Sequence, residues 1–215
     1  MTRVRRRAHG DAGQVFPIYL VVVAGLLFLA FAYFAVGQAA VNRNGAQTAA
    51  DAAALAAAQE TRDQLADKWL DAVLDPAQWD DIFEGDVALA PACWRAYELA
   101  AQNDASVDAC QDGLRTTVKV QANKSAGDSV IPVTSTTRAH AFATAVIDSL
   151  CTFEPPVEPS GEPSGEPSAE PPGEDAENDA LPTLTCDDRD WELDPDDLTD
   201  LPGPEDLFAV HLATD

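Results

Sequence analysis

Positive charge is scarce in this chain of 215 residues. It contains 13 Lys and Arg residues against 37 Asp and Glu residues, which gives a formal net charge of −24. Residues 154–215 hold twenty acids and one base, Arg189, whereas the first residues contain Arg3, Arg5, Arg6 and Arg7. Because so acidic a surface repels phosphate backbones, the composition argues against nucleic acid as a partner.

Sequence motifs for catalysis and for metal binding are also missing. The three histidines lie far apart, and no G-x-S-x-G motif accompanies them. The acid-dense residues 187–200 lack the glycine and the spacing of an EF-hand loop. The four cysteines contain no CxxC pair, which argues against a zinc site. We therefore predict a protein that is not an enzyme, with no catalytic residue, cofactor or metal ion; a small-molecule ligand stays open.

Charged residues are absent between Asp11 and Arg43. The apolar residues 15–36 would form a helix of roughly 33 Å, long enough to cross a bilayer. The arginines that precede this segment predict a cytoplasmic N-terminus and an extracytoplasmic C-terminal part, attached to the cell membrane by a single span. The competing interpretation is a signal peptide cleaved near Gly37, Ala39 and Ala40. Since signal peptides have apolar regions of about 7–15 residues, we predict a retained anchor.

Residues 46–74 form a second, alanine-rich helical pattern outside the predicted span. Asn42–Gly45 is a weak break before it, and Asp75-Pro76 should end it. An apolar stripe in this pattern consists of Leu65, Trp69 and Val73. The small side chains of the alanine run allow close approach of another helix. We predict a packing surface for partner helices that consists of Gln47, Ala50, Ala53, Ala54 and Ala57. Alternatively, the alanines only favour helix formation.

The order of these segments resembles a known family. Gly13-Gln14, the apolar span and the block Q-x-A-A-D-A-A-A-L-A-A-A at 47–58 are similar to the TadE/TadG-like proteins of Flp (tight-adherence) pilus assembly. The resemblance covers roughly residues 10–62. It implies a non-enzymatic, pilin-like component whose partners are other pilin-like subunits or a secretion platform. The glutamate usual five residues after the glycine cleaved by prepilin peptidase is absent, because Ile18 follows Gly13 at that distance and Val15 follows Gly10. This departure predicts an uncleaved N-terminus.

The remaining sequence predicts a small α+β domain. Residues 91–102 are typical of a helix with Trp94 and Leu99 towards the core. Alternating apolar residues predict strands at 114–122 and at 131–147, joined by a turn at 123–128, and a final strand at 206–213. The bases Lys119, Lys124 and Arg138 form either a contact patch for an acidic partner or a solvated sheet face.

The cysteines predict two disulfides in an extracytoplasmic domain. Three pairings are possible, and we favour Cys93–Cys110 and Cys151–Cys186, because each closes a neighbouring loop. Between the last two cysteines, residues 158–173 repeat a four-residue EPSG-like unit, which is typical of an extended linker.

The predicted fold is α+β: a long N-terminal transmembrane and juxtamembrane helix, followed by a small disulfide-linked domain with an antiparallel sheet. The predicted segments are a basic cytoplasmic tail at 1–12, a transmembrane helix at 13–41, an Ala-rich helix at 42–75, an α+β domain at 76–153, a disordered acidic linker at 154–180 and an acidic C-terminal segment at 181–215. Two functions follow from this organisation: a pilin-like assembly component, or an anchored extracytoplasmic binding or sensor domain unrelated to pili.

Overall fold

The computed structural model describes residues 15–125, 138–154 and 181–214. The helices are α1 (Val15–Asp71), α2 (Trp79–Phe83), α3 (Cys93–Gln102) and α4 (Pro204–Leu207), with a 3-10 turn at Pro76–Gln78. The strands are β1 (Ala105–Gln111), β2 (Arg115–Ser125), β3 (Arg138–Ser149), β4 (Cys151–Phe153), β5 (Leu184–Cys186), β6 (Asp190–Trp191) and β7 (Phe208–Leu212). The α+β class with an antiparallel sheet is confirmed.

Helix α1 is a single element of 57 residues, which corresponds to a length of about 86 Å. It runs through Asn42–Gly45, so the break expected there is wrong. The asparagine and glycine of this stretch weaken a helix only slightly, and the side chain of Asn42 contacts the carbonyl oxygen of Ser125 at 3.5 Å. The boundary predicted between residues 41 and 42 therefore falls inside a continuous helix.

A four-stranded antiparallel sheet packs against the second half of α1. Its strand order is β1-β2-β3-β7. Alternate residues of the two central strands point to the helix and are buried: Thr116, Val118, Val120, Ala143, Ala145 and Ile147. The period-two patterns predicted for these two strands are confirmed, and the layers form one core around α1. The final strand is present at Phe208–Leu212, but residues 206 and 207 belong to α4, and the burial of the strand does not alternate regularly.

A smaller antiparallel sheet of order β4-β5-β6 lies near the C-terminal end of α1. Its core is aromatic. The ring of Trp79 lies 5.4 Å from that of Trp69 and 5.1 Å from that of Phe153, and its Nε1 donates to the carbonyl oxygen of Ala72 at 2.9 Å. The buried stripe predicted for the end of α1 is confirmed, since Leu65, Trp69 and Val73 all belong to the core.

Both predicted disulfides are present, Cys93–Cys110 and Cys151–Cys186. The first joins α3 to β1. The second joins β4 to β5, directly opposite each other in the small sheet. The two ends of the chain segment that contains the proline-rich repeat are thus held side by side.

One side chain of α3 lies where the sequence did not predict it. Trp94 was expected in the core, but 53% of its surface is exposed, and the guanidinium of Arg95 lies 5.1 Å from its ring centre. The buried residues of α3 are Ala96 and Ala100. Because α3 packs closely on an alanine-rich helix, only small side chains fit between the two, and the indole points outward.

Several predictions concern parts of the chain outside the described residues. These are the basic tail and its N-terminal processing, residues 126–128 of the predicted turn, the first residues of the strand predicted at 131–147, and the repeat at 158–173. The first half of that turn, residues 123–125, was predicted wrongly, because these residues continue strand β2.

Candidate functional site

The first half of α1 presents an uninterrupted apolar surface. Its large side chains are exposed from Phe16 to Val41; Phe28, for example, is 73% exposed. This part of α1 is long and apolar enough to cross a membrane, and none of it is buried against the rest of the chain. Since soluble surfaces rarely expose apolar area of this extent, the segment fits single-pass membrane anchoring.

The second half of α1 has the opposite character, because it is the central helix of the domain. Ala50, Ala53, Ala54 and Ala57 are each 0% exposed. They belong to one core cluster with Val118, Val120, Ala143 and Ala145 of the sheet and with Ala96 and Ala100 of α3. Alanine is required here because a larger side chain would separate the helix from the sheet.

This burial changes the interpretation of the predicted packing surface. The alanines do pack closely, but against the sheet and α3 of their own chain, so their side chains are not available to a partner helix in the folded domain. Gln47 alone among the five predicted residues is exposed. Its Nε2 donates to Oδ1 of Asp51 at 2.8 Å and to the carbonyl oxygen of Phe142 at 3.2 Å. The apolar surface that stays free lies in the other half of α1.

The junction between the two halves is short and fixed by the sheet. Val41 is 66% exposed, whereas Ala46 is 1% exposed. Two side chains near this junction contact the sheet. Asn42 contacts Ser125 of β2, and Gln47, five residues later, contacts Phe142 of β3. The domain therefore begins directly where the apolar surface ends, with no linker between them.

The sheet face that points away from α1 carries several of the basic residues of the domain. Arg115, Lys119, Lys124 and Arg138 are all exposed, and β2 contains no acidic residue. Lys124 pairs with Asp104 at 2.6 Å, and Arg138 donates to Oε1 of Gln121 at 3.3 Å. Strand alternation places Arg115 and Lys119 on the outer face, and Arg138 joins them through its contact with Gln121. Phe142, which pairs with Lys119 across the strands, is 63% exposed on the same face.

The histidines of the domain lie on this same outer face, each beside a carboxylate. His140 Nδ1 is 3.1 Å from Oδ2 of Asp108, and His211 Nδ1 is 3.6 Å from Oδ2 of Asp148. Within the described parts of the chain, no group of three or more potential metal ligands comes together, and all four cysteines are in disulfides.

Searches of curated proteins and of solved structures found no match to this chain. A family model does match part of it. The matched residues, 13–60, begin at the exposed half of α1 and end within the buried alanine face. They confirm the resemblance over the N-terminal region: this region of the chain matches the family described as putative Flp pilus-assembly TadE/G-like.

Proposed function

We propose that this protein is a membrane-anchored, pilin-like component of a Flp/Tad-type pilus or secretion assembly. It acts by protein association, and its partners are other pilin-like subunits or a secretion platform. Residues 13–41 lie in the cell membrane, residues 1–12 are cytoplasmic, and the domain is extracytoplasmic. The proposal rests on one observation: the residues that match the family model belong largely to α1. One half of this helix is exposed and apolar, and the other half forms the core of the domain.

The structure supports association through the exposed half of α1. A helix surface that makes no contact with its own domain can meet lipid or another helix. In a bilayer, helices associate by close packing, because lipid already satisfies the apolar side chains. The buried alanines contribute indirectly, since they join this anchor rigidly to the sheet.

The chain direction supports the proposed orientation. The arginines at residues 3–7 precede the span, and Arg43 is the base that follows it most closely. The two disulfides lie on the other side of the span and favour an oxidising compartment.

A photo-crosslinking residue at Phe28, in the exposed half of α1, tests the proposed association in cells. We expect covalent capture of other single-pass proteins that mass spectrometry identifies as pilin-like subunits or pilus-platform components. A matched probe at Lys68, exposed on the domain half of the same helix, should not capture them. Capture of lipid alone from position 28 would contradict the proposal and favour an anchored binding domain.

A further inference from the structure

Two surfaces of the folded domain differ in the sign of their charged side chains. The outer sheet face described above has the cations Arg115, Lys119 and Arg138 and the exposed ring of Phe142, besides the carboxylates Asp108 and Asp148 that lie next to its histidines. We call this the basic face. The second surface, called the acidic segment, is residues 187–200. It exposes eight carboxylates: Asp187, Asp188, Asp190, Glu192, Asp194, Asp196, Asp197 and Asp200.

The acidic segment is fixed to its own domain. The backbone N–H of Asp187 donates to the carbonyl oxygen of Leu150 at 3.1 Å. Trp191 and Leu193 are buried in the core, with 5% and 8% of their surfaces exposed. Within the described parts of the chain, no salt bridge joins the acidic segment to the basic face. The two complementary surfaces can therefore meet only when they belong to different copies.

We infer that the basic face of one copy docks on the acidic segment of a second copy of this chain. The inference deepens the proposed function, on which it rests, because it names a subunit contact within the assembly. Opposite charges select the partner surface and orient it, and an exposed aromatic ring amid cations provides an apolar contact at the centre. At physiological salt the Debye length is about 8 Å, so these local charges act despite the overall negative charge of each copy.

The contact is heterologous, because the two surfaces that meet are different. Such a contact repeats from copy to copy and builds an open chain when its rotation does not close a ring. The two surfaces also lie at different positions along the long axis of the molecule. Lys119 pairs with Phe142 and Arg115 with Val146, which are eight and four residues from Leu150 on an extended segment, roughly 26 and 13 Å. Docked copies are thus displaced along the long axis, as subunits of a filament are, so the contact belongs to the assembled state and not to anchored copies at equal depth in one bilayer.

Two charge-reversed variants test the contact in the full-length chain, purified in detergent micelles that leave copies free to shift along the axis. The basic-face variant is Arg115→Glu/Lys119→Glu, and the acidic-segment variant is Asp188→Lys/Glu192→Lys. We expect self-association of the wild type, measured by sedimentation, to weaken with added salt. Each variant alone should associate at least about tenfold more weakly, since like charges then face each other.

An equimolar mixture of the two variants should associate as strongly as the wild type, because each variant then supplies the surface that the other has lost. This rescue also shows that both variants are folded. The control Lys68→Glu/Arg95→Glu changes the net charge as much as the basic-face variant does, on other surfaces, and should associate normally. A monomeric wild type, an unaffected variant or failure of the mixture to associate would each overturn the inference. Crosslinking from position 28 tests the proposed function separately, so the two can fail independently.

Discussion

Substituting Leu for Ala53 distinguishes a core position from an intermolecular one. The Ala53 side chain is 0% exposed and belongs to the cluster between α1 and the sheet. A leucine adds three carbon atoms, which would stabilise the protein by about 0.8 kcal/mol each if space existed. Because no space is available, the helix and the sheet must separate, and we expect the free energy of unfolding to fall by about 1–3 kcal/mol. For a domain of this size the melting temperature should fall by about 2–12 °C.

Urea unfolding of the full-length chain in detergent measures this change. Near-UV circular dichroism follows the packed rings of Trp69 and Trp79, which are both fully buried. The matched control is Ala101→Leu, the same substitution at an exposed helical alanine, and its unfolding midpoint should stay within error of the wild type. The reasoning is refuted if Ala53→Leu leaves the midpoint unchanged but abolishes capture of other single-pass proteins, since the alanine face would then be an intermolecular surface.

Three further substitutions probe the domain by the same unfolding measurement. Replacing Cys151 and Cys186 by Ser should lower the free energy of unfolding by about 2–4 kcal/mol, because the closed loop is long; an unchanged midpoint would show that this bridge does not restrict the unfolded chain. Gly85→Ala should lower the free energy of unfolding by more than about 1 kcal/mol, because Gly85 has a φ of +75° and the new Cβ would lie 2.8 Å from Cδ1 of Leu114. A variant as stable as the wild type would contradict that backbone conformation. Gly45→Ala should stabilise the protein by about 1 kcal/mol, because the position is inside α1 and nothing lies within 4 Å of the added Cβ; destabilisation would mean that α1 is not continuous there.

The elements predicted well from the sequence are those with a strong local period. The alternation in β2 and β3 is visible because one face is buried by a helix and the other is solvated. Strand β1 escaped prediction, since a register shift between Val107 and Ala109 interrupts its alternation. The strands β4, β5 and β6 have three, three and two residues, too few to show a period.

The alanine face shows a second limit of sequence reasoning. A run of small side chains predicts that something will approach closely, but it does not tell whether a partner helix or the protein's own sheet does so. The decision depends on contacts between elements far apart in sequence, such as α1 with β2 and β3. The outer position of Lys119 and Arg138 was predictable from strand alternation, whereas the position of the acidic segment depends on the unpredicted small sheet.

The continuous course of α1 has a mechanical consequence. With Asn42 and Gln47 both held by the sheet, the helix has no hinge between its exposed half and its buried half. The distance along the axis from Val41 to Trp69 is about 42 Å, so a tilt of about 10° at the exposed half would move the aromatic end of the domain sideways by about 7 Å. Movement of the domain and movement of the anchor are therefore coupled through one continuous helix.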